Sequence, residues 1–280
     1  MRAAFKKWPF TFRISKPKFL LGCFISSSLF YYLHPKPQMN NFPQPPLYYP
    51  NIPEKTLKDF LSKNPLVTCL NSNKSIEYLM SHLREKSLNC SHFRYYADRV
   101  IRIILETAIV IQELKNIKKE SPLGYYDALE TQAPLENYCA VTILRAGNSF
   151  LQELLHLFPG IPLGQVLVQR NEESKEKEPV FYFSKLPKNI NKMKVLLCDP
   201  MVGTGGSLCI TLKHLIEKGV KEEDITVLAL IGCCEGIEKI YKAHPKVKMV
   251  IGFIDGDLLK QSKYIVPGLG DFGDRYFGTA

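Results

Sequence analysis

Apolar positions fall into two rhythms along this chain. Over residues 75–86 and 93–115 they recur at helical spacing, with Ile101, Ile104 and Ile111 set among Arg and Glu, which predicts two amphipathic helices. Downstream the rhythm changes to short unbroken apolar runs at 139–144, 165–169, 195–198, 225–231 and 247–251. Each run suits a strand buried on both faces, and most of the intervening stretches are long enough for a crossover helix. The expected fold is therefore α/β, a doubly wound and mainly parallel sheet. Sequence self-similarity gives no internal repeat. Residues 171–185 are charged and polar up to Phe181, Tyr182 and Phe183, a pattern that fits either a mobile lid or a solvated hairpin.

Length and composition refine this picture. A chain of 280 residues with 45% hydrophobic content can bury one large α/β core and still carry an appendage. The formal charge of +10 is unevenly placed, because nine Lys/Arg against Glu54 and Asp59 in residues 1–60 account for seven of it. The remainder is too weak a field for a nucleic-acid partner, while a local basic pocket for a polyanion stays open. Eight cysteines without a C-x-x-C pair read as mostly reduced core residues, and the six histidines lack zinc-ligand spacing. Asn73-Lys74-Ser75 and Asn89-Cys90-Ser91 match glycosylation sequons, a pattern short enough to arise by chance.

The N-terminal region separates into two parts. A basic stretch to Lys18 precedes an apolar run at 19–33 that fits a signal peptide, a membrane anchor or an organelle-targeting presequence. At about 15 residues, interrupted by Ser26-Ser27-Ser28, it is short of the roughly 20 apolar residues a spanning helix needs. Residues 34–53 are dense in Pro and Asn, as in an extended tether. The expected division is an extension over 1–60, able to touch a membrane through 19–33, and a folded domain over 61–280 facing the cytoplasm or an organelle interior.

The chemistry concentrates in Asp199-Pro200-Met201-Val202-Gly203-Thr204-Gly205-Gly206-Ser207, which follows the apolar run 195–198 and precedes a helical pattern. Gly203, Gly205 and Gly206 permit close backbone approach, and amides at the helix start, with the Thr204 and Ser207 hydroxyls, would face an anion. Asp199, at the carboxyl end of a buried strand, would lie beside that anion and could accept hydrogen bonds from sugar hydroxyls. The pattern is neither a P-loop nor a dinucleotide fingerprint; it suits a sugar phosphate. Arg145 and Arg170 each end an apolar run, where a guanidinium fork could bind two diphosphate oxygens or form a surface ion pair.

Three further segments decide between these options. Tyr264-Ile265-Val266-Pro267-Gly268-Leu269-Gly270-Asp271-Phe272-Gly273-Asp274-Arg275 and its continuation to Thr279, Ile143-Leu144-Arg145-Ala146-Gly147, and Val168-Gln169-Arg170-Asn171 stand in one order with the Asp199 loop. Together they resemble the signatures of the uracil phosphoribosyltransferase family, and the likeness extends upstream through 93–102 to cover about 61–280. The resemblance implies a type I phosphoribosyltransferase core with a C-terminal hood, transferring the phosphoribosyl group of 5-phosphoribosyl 1-diphosphate (PRPP) to uracil. It assigns PRPP to Arg145, Arg170, Asp199, Pro200, Met201, Val202, Gly203, Thr204, Gly205, Gly206, Ser207 and Asp271. Uracil falls to Ile265, Gly270, Asp271 and Phe272, largely through main-chain groups. Asp199, Arg145 and Arg170 carry the catalytic roles in this assignment.

The family also implies Mg²⁺ held mainly by PRPP oxygens, activation by GTP, and a homodimer or homotetramer. Three positions depart from its usual pattern: Gly203 replaces Ala, Cys233-Cys234 replaces Ala-Pro, and Asn148 replaces an acid. Two alternatives stay open, a regulatory or ligand-binding homologue without catalysis and a phosphoribosyltransferase for another base.

Overall fold

The computed structural model describes residues 49–112, 114–170, 179–259 and 262–279. The apolar run 19–33 and most of the Pro-rich tether lie outside the described residues. Among those described, no helix is long and apolar enough to cross a membrane.

The five apolar runs become the strands β4 (Tyr138–Leu144), β5 (Leu163–Arg170), β7 (Lys194–Cys198), β9 (Ile225–Cys233) and β10 (Lys248–Asp255). They join β1 (Val67–Cys69) and β6 (Pro179–Lys185) in a sheet of order β1-β10-β9-β7-β4-β5-β6, and the two-residue strand β8 (Met201–Val202) adds to β9. Every pairing is parallel except β5 with β6, so the α/β expectation of a mainly parallel sheet holds. β9 is buried along its whole length, as a central strand covered on both faces must be.

Alternation along the strands sorts the side chains onto two faces. Tyr138, Ala140, Leu228 and Leu230 point into one core, packed under α2 (Lys74–Leu83), α3 (Cys90–Val110) and α4 (Leu151–Leu157). Cys139, Val141, Ile143 and Val227 point into the other, under α1 (Glu54–Lys63), α5 (Gly206–Glu217) and α6 (Cys234–Ala243). Phe60 of α1 is buried in that second core, so core-packed chain begins before residue 61. The sequons have another use: the Asn73 side chain caps α2 by accepting from the amides of Ser75 and Ile76, and Asn89 caps α3 by accepting from His92.

Two local outcomes depart from the hydrophobic pattern. The helix expected to reach 115 stops at Val110, and Leu114–Ser121 (β2) pairs antiparallel with Gly124–Thr131 (β3) in a two-stranded sheet of its own. The signal was present in Ser121-Pro122-Leu123-Gly124, a turn in which the Ser121 hydroxyl donates to the Gly124 carbonyl at 2.8 Å. The arm exposes large apolar side chains, with Leu123 100%, Tyr125 77% and Leu129 65% accessible. Within 171–185, Pro179–Lys185 is the antiparallel edge strand β6, and Phe181 packs against His214 of α5 with ring centroids 4.4 Å apart. Residues 171–178 lie outside the described residues.

Candidate active site

Strand order reverses between β4 and β7: the chain proceeds from β4 outward to β5 and β6, then returns to the other side of β4 as β7. A crevice opens at the carboxyl ends of strands at such a point. Arg145 follows β4 on one side of it, and Asp199 follows β7 on the other.

The Asp199 segment is built differently from a simple strand-to-loop junction. The Asp199 amide donates to Leu228 O at 3.1 Å, and the Pro200 carbonyl accepts from both Leu230 N and Ile231 N at 3.0 Å. Pro200, which has no N–H, stands where the ladder breaks, and Met201 and Val202 then resume pairing opposite Ile231 and Gly232. Asp199 is thereby held at a step in the strand, partly exposed, and the glycine loop begins only at Gly203.

The loop closes into α5 through Gly205, which has a left-handed φ of 71° and serves as the helix N-cap. The first i→i−4 bond of that helix runs from Cys209 N to Gly205 O at 2.9 Å, so the amides of Gly206, Ser207 and Leu208 precede the intrahelical ladder and suit an anion. α6 braces the loop from behind. The Cys233 thiol donates to the Gly203 carbonyl at 3.1 Å, and burial pushes this thiol's pKa up, which keeps it a donor. A Cβ on Gly236 would collide with the same carbonyl oxygen, and one on Gly205 would lie 2.6 Å from Gly236 O. Sequence reasoning missed Gly236 as a loop support, although a glycine just after a buried strand and at a helix start is a signal of close backbone approach.

The remaining segments converge on this loop. Gly147 packs so tightly on the Cys198 carbonyl that a Cβ there would clash, which brings the Arg145 turn against the strand that carries Asp199. Asn148 accepts from Thr142 Oγ1 at 2.9 Å and Gln165 Nε2 at 3.3 Å, anchoring the same turn. Arg145 donates to Asp274 Oδ1 at 2.7 Å and Thr279 Oγ1 at 3.1 Å. Its guanidinium lies 5.6 Å from the ring centroid of Phe277. Arg170 ends β5 opposite Pro179, and a Cβ on Gly206 would lie 2.9 Å from the Pro179 ring.

The C-terminal hood comprises β11 (Asp257–Leu258), β12 (Ile265–Val266) and α7 (Phe272–Phe277). β11 and β12 pair antiparallel, and Lys263 O and Leu258 Cδ2 lie 3.7 and 4.0 Å from where a Cβ of Gly203 would stand. Gly270 has a left-handed φ of 73° and is exposed. Asp271 caps α7 by accepting from Asp274 N at 3.0 Å, and its side chain faces solvent. Ile265 and Phe272 are buried, and the Phe272 ring stacks on Tyr276 with centroids 5.5 Å apart. Only main-chain atoms of these two residues can therefore meet a ligand without repacking the core. A cavity of about 270 Å³ lined by Gln112, Tyr138 and Lys194 lies at the amino ends of β4 and β7, at the opposite edge from all of these residues.

Among the described residues, no group of three or more His, Cys, Asp or Glu could hold a metal ion; Asp199 stands beside the loop, while Asp257, Asp271 and Asp274 belong to the hood, where Asp274 is paired with Arg145. That donor set fits a hard cation carried largely by substrate oxygens. Burial raises the pKa of Cys69 to about 11 and of Cys139 to about 12, so neither is a thiolate nucleophile near neutral pH.

Comparison with known proteins gives a consistent result. The uracil phosphoribosyltransferase family model matches residues 70–279. The chain is 37% identical over 214 residues to the uracil phosphoribosyltransferase of Dictyostelium discoideum, a match covering 76% of this chain and 96% of that protein. It is 39% identical over 199 residues to the uracil phosphoribosyltransferase of Saccharomyces cerevisiae, covering 71% and 90%. A solved protein structure from Aquifex aeolicus aligns with a TM-score of 0.65 at 27% identity, over 76% of this chain and 99% of that one. Since the match runs through every segment that meets at the carboxyl edge of the sheet, the chain belongs to the uracil phosphoribosyltransferase family.

Proposed function

We propose that this chain transfers the phosphoribosyl group of PRPP to uracil, giving UMP and diphosphate in pyrimidine salvage. A C–N bond forms at the anomeric carbon as the C–O bond to diphosphate breaks; the diphosphate leaves with the electron pair, and the proton of the uracil ring nitrogen passes to the departing diphosphate or to water. The observation that carries this reading is the convergence of the Asp199 step, the Gly203–Ser207 loop, the Arg145 turn and the Gly270-Asp271 hood on one crevice.

Each part has a role its chemistry supports. The amides of Gly206, Ser207 and Leu208, with the Thr204 and Ser207 hydroxyls, hold the 5-phosphate. Arg145 and Arg170 hold the diphosphate, to which Mg²⁺, when bound, supplies charge neutralisation as it leaves. Asp199 stands beside the ribose, where a fixed carboxylate stabilises developing positive charge at the anomeric carbon. Main-chain groups of Ile265, Gly270 and Phe272 recognise the pyrimidine, and Asp271 lies near the diphosphate. The hood excludes water that would hydrolyse the activated sugar.

GTP activation and a homodimer or homotetramer follow from the resemblance, and the exposed β2–β3 arm supports such an assembly. The direction of the catalytic domain to a membrane or an organelle by residues 19–33 rests instead on their apolar pattern, since the resemblance does not reach them. The test of the reaction is UMP formation by the full chain with uracil, PRPP and Mg²⁺, with and without GTP. UMP formation that collapses in Asp199→Asn and Arg145→Ala supports the assignment. Folded protein that binds PRPP without making UMP points to a regulatory homologue, and product with another base to a different transferase.

A further inference from the structure

We infer that Arg84 and Asp255 are positioning residues for the pyrimidine pocket, acting through Gly268; the inference rests on the uracil reading of the hood. Asp255 is the last residue of β10, and its side chain is completely buried, while that of Arg84 at the end of α2 is 19% exposed. Removing a carboxylate from water costs several kcal/mol unless its lone pairs are met. Here they are met from two directions. Arg84 Nη2 donates to Oδ1 at 2.7 Å and Arg84 Nη1 to Oδ2 at 2.9 Å, while the Gly268 amide donates to Oδ2 at 2.8 Å.

The same guanidinium also donates from Nη1 to the Gly268 carbonyl at 2.9 Å. A single ion pair therefore holds both backbone polar groups of one glycine. Gly268 is itself locally constrained: its φ is 58°, and a Cβ would run into the Ile265 carbonyl. It lies three residues after Ile265 and two before Gly270, between positions assigned to the base.

A second guanidinium continues the fastening. Arg275 donates from Nη1 to Leu83 O and Leu269 O, both at 2.7 Å, and from Nη2 to Glu85 O. The turn 268–269 is thus tied to the end of α2 by side chains from α2, β10 and α7.

The choice of a buried ion pair is informative. Well-packed apolar residues would stabilise such a contact at least as well, whereas a bidentate pair fixes orientation. A pocket that selects its base through main-chain groups needs that orientation, because no side chain can re-aim to compensate for a displaced backbone. Arg84 and Asp255 direct these hydrogen bonds to each other and to Gly268, so their effect on the base runs through how the hood presents Ile265 and Gly270.

The test is steady-state kinetics of the full chain as Asp255→Asn, Arg84→Met and Arg84→Lys, each beside the unmodified protein. The expected result is a uracil KM raised about tenfold or more in Asp255→Asn and Arg84→Met, and less in Arg84→Lys, with the PRPP KM within about twofold of the parent. Arg84→Lys keeps the charge at a partly exposed position, so the measurement does not depend on the buried variant folding. Equal rises in both KM values, tracking lost thermal stability, would make the pair merely structural and overturn the inference, as would an unchanged uracil KM in a folded variant. Failure of the unmodified chain to use uracil would overturn the proposed reaction and this inference with it, and is read directly from the parent assay.

Discussion

Arg145 and Asp274 lie 129 residues apart in sequence and meet at 2.7 Å, joining the turn after β4 to the C-terminal helix. The arginine assigned to the diphosphate is thus pre-oriented by the element that closes over the site. At 53% and 35% side-chain exposure the pair is solvent-screened and worth at most about 1 kcal/mol, so an incoming diphosphate can displace Asp274 without a large cost. Arg145→Ala is expected to lower kcat/KM for PRPP about 100-fold or more, and Asp274→Asn less than tenfold. Both should leave the melting temperature near that of the parent, and kinetics beside thermal melts check this.

The loop glycines separate by what stands behind them. A Cβ on Gly203 would meet only ordinary van der Waals contacts, the nearest at 3.7 Å, whereas a Cβ on Gly236 would strike the Gly203 carbonyl. Gly203→Ala should retain activity within about twofold, since neither its conformation nor its surroundings resist a methyl group. Gly236→Ala must push the loop forward and should raise the PRPP KM about tenfold or more. Cys233→Ala, which removes the thiol from the same carbonyl, should fall between them and be rescued by Cys233→Ser. Equal KM values for the two alanine variants of glycine would refute the bracing role of α6.

These contacts mark the limit of what the sequence discloses. The strands were legible because a parallel sheet buried on both faces demands unbroken apolar runs, and the site loops because glycines, Asp199 and the arginines cluster at run ends. The β2–β3 arm was not, since Tyr125, Tyr126 and Leu129 do not alternate cleanly with polar neighbours when neither face of the ribbon is buried in the core. Arg84 and Asp255 were equally hidden: a lone arginine at a helix end and an aspartate at a strand end carry no sign that they converge on one glycine. The Asp199 step escaped notice for a related reason, because the break at Pro200 is visible only once Leu230 and Ile231 are seen to share its carbonyl.

Asp98 provides a titratable probe of the hood's attachment. It accepts from the Tyr276 hydroxyl at 2.6 Å, and burial raises its pKa, with nearby Glu153 adding to the rise and the Tyr276 hydrogen bond and Arg94 opposing it. The folded state thus holds this proton more tightly than the unfolded chain, whose value is about 4. Below that pH both states are protonated and the contribution is fully present; it is lost as pH rises through the elevated folded value. Asp98→Asn keeps an acceptor for Tyr276 without the charge. The melting-temperature advantage of this variant over the parent should grow from about pH 4 upward and then level off. An advantage independent of pH would contradict this.

The β2–β3 arm makes the last prediction. A two-stranded ribbon is at best marginally stable in water, yet this one pairs eight residues a side. Its apolar side chains, Leu123, Tyr125 and Leu129 among them, remain exposed. On the proposed assembly, this surface is the expected contact with a second copy of the chain. Because a closed dimer uses the same patch twice, a change in one arm is felt twice per interface. Leu123→Ser with Tyr125→Ser should therefore shift the full chain toward monomer in light scattering after size exclusion. The monomer core should be spared, since neither residue belongs to it. An unchanged mass for the double variant would assign assembly, if present, to another surface; a monomeric parent would show that the arm pairs with nothing of its own kind.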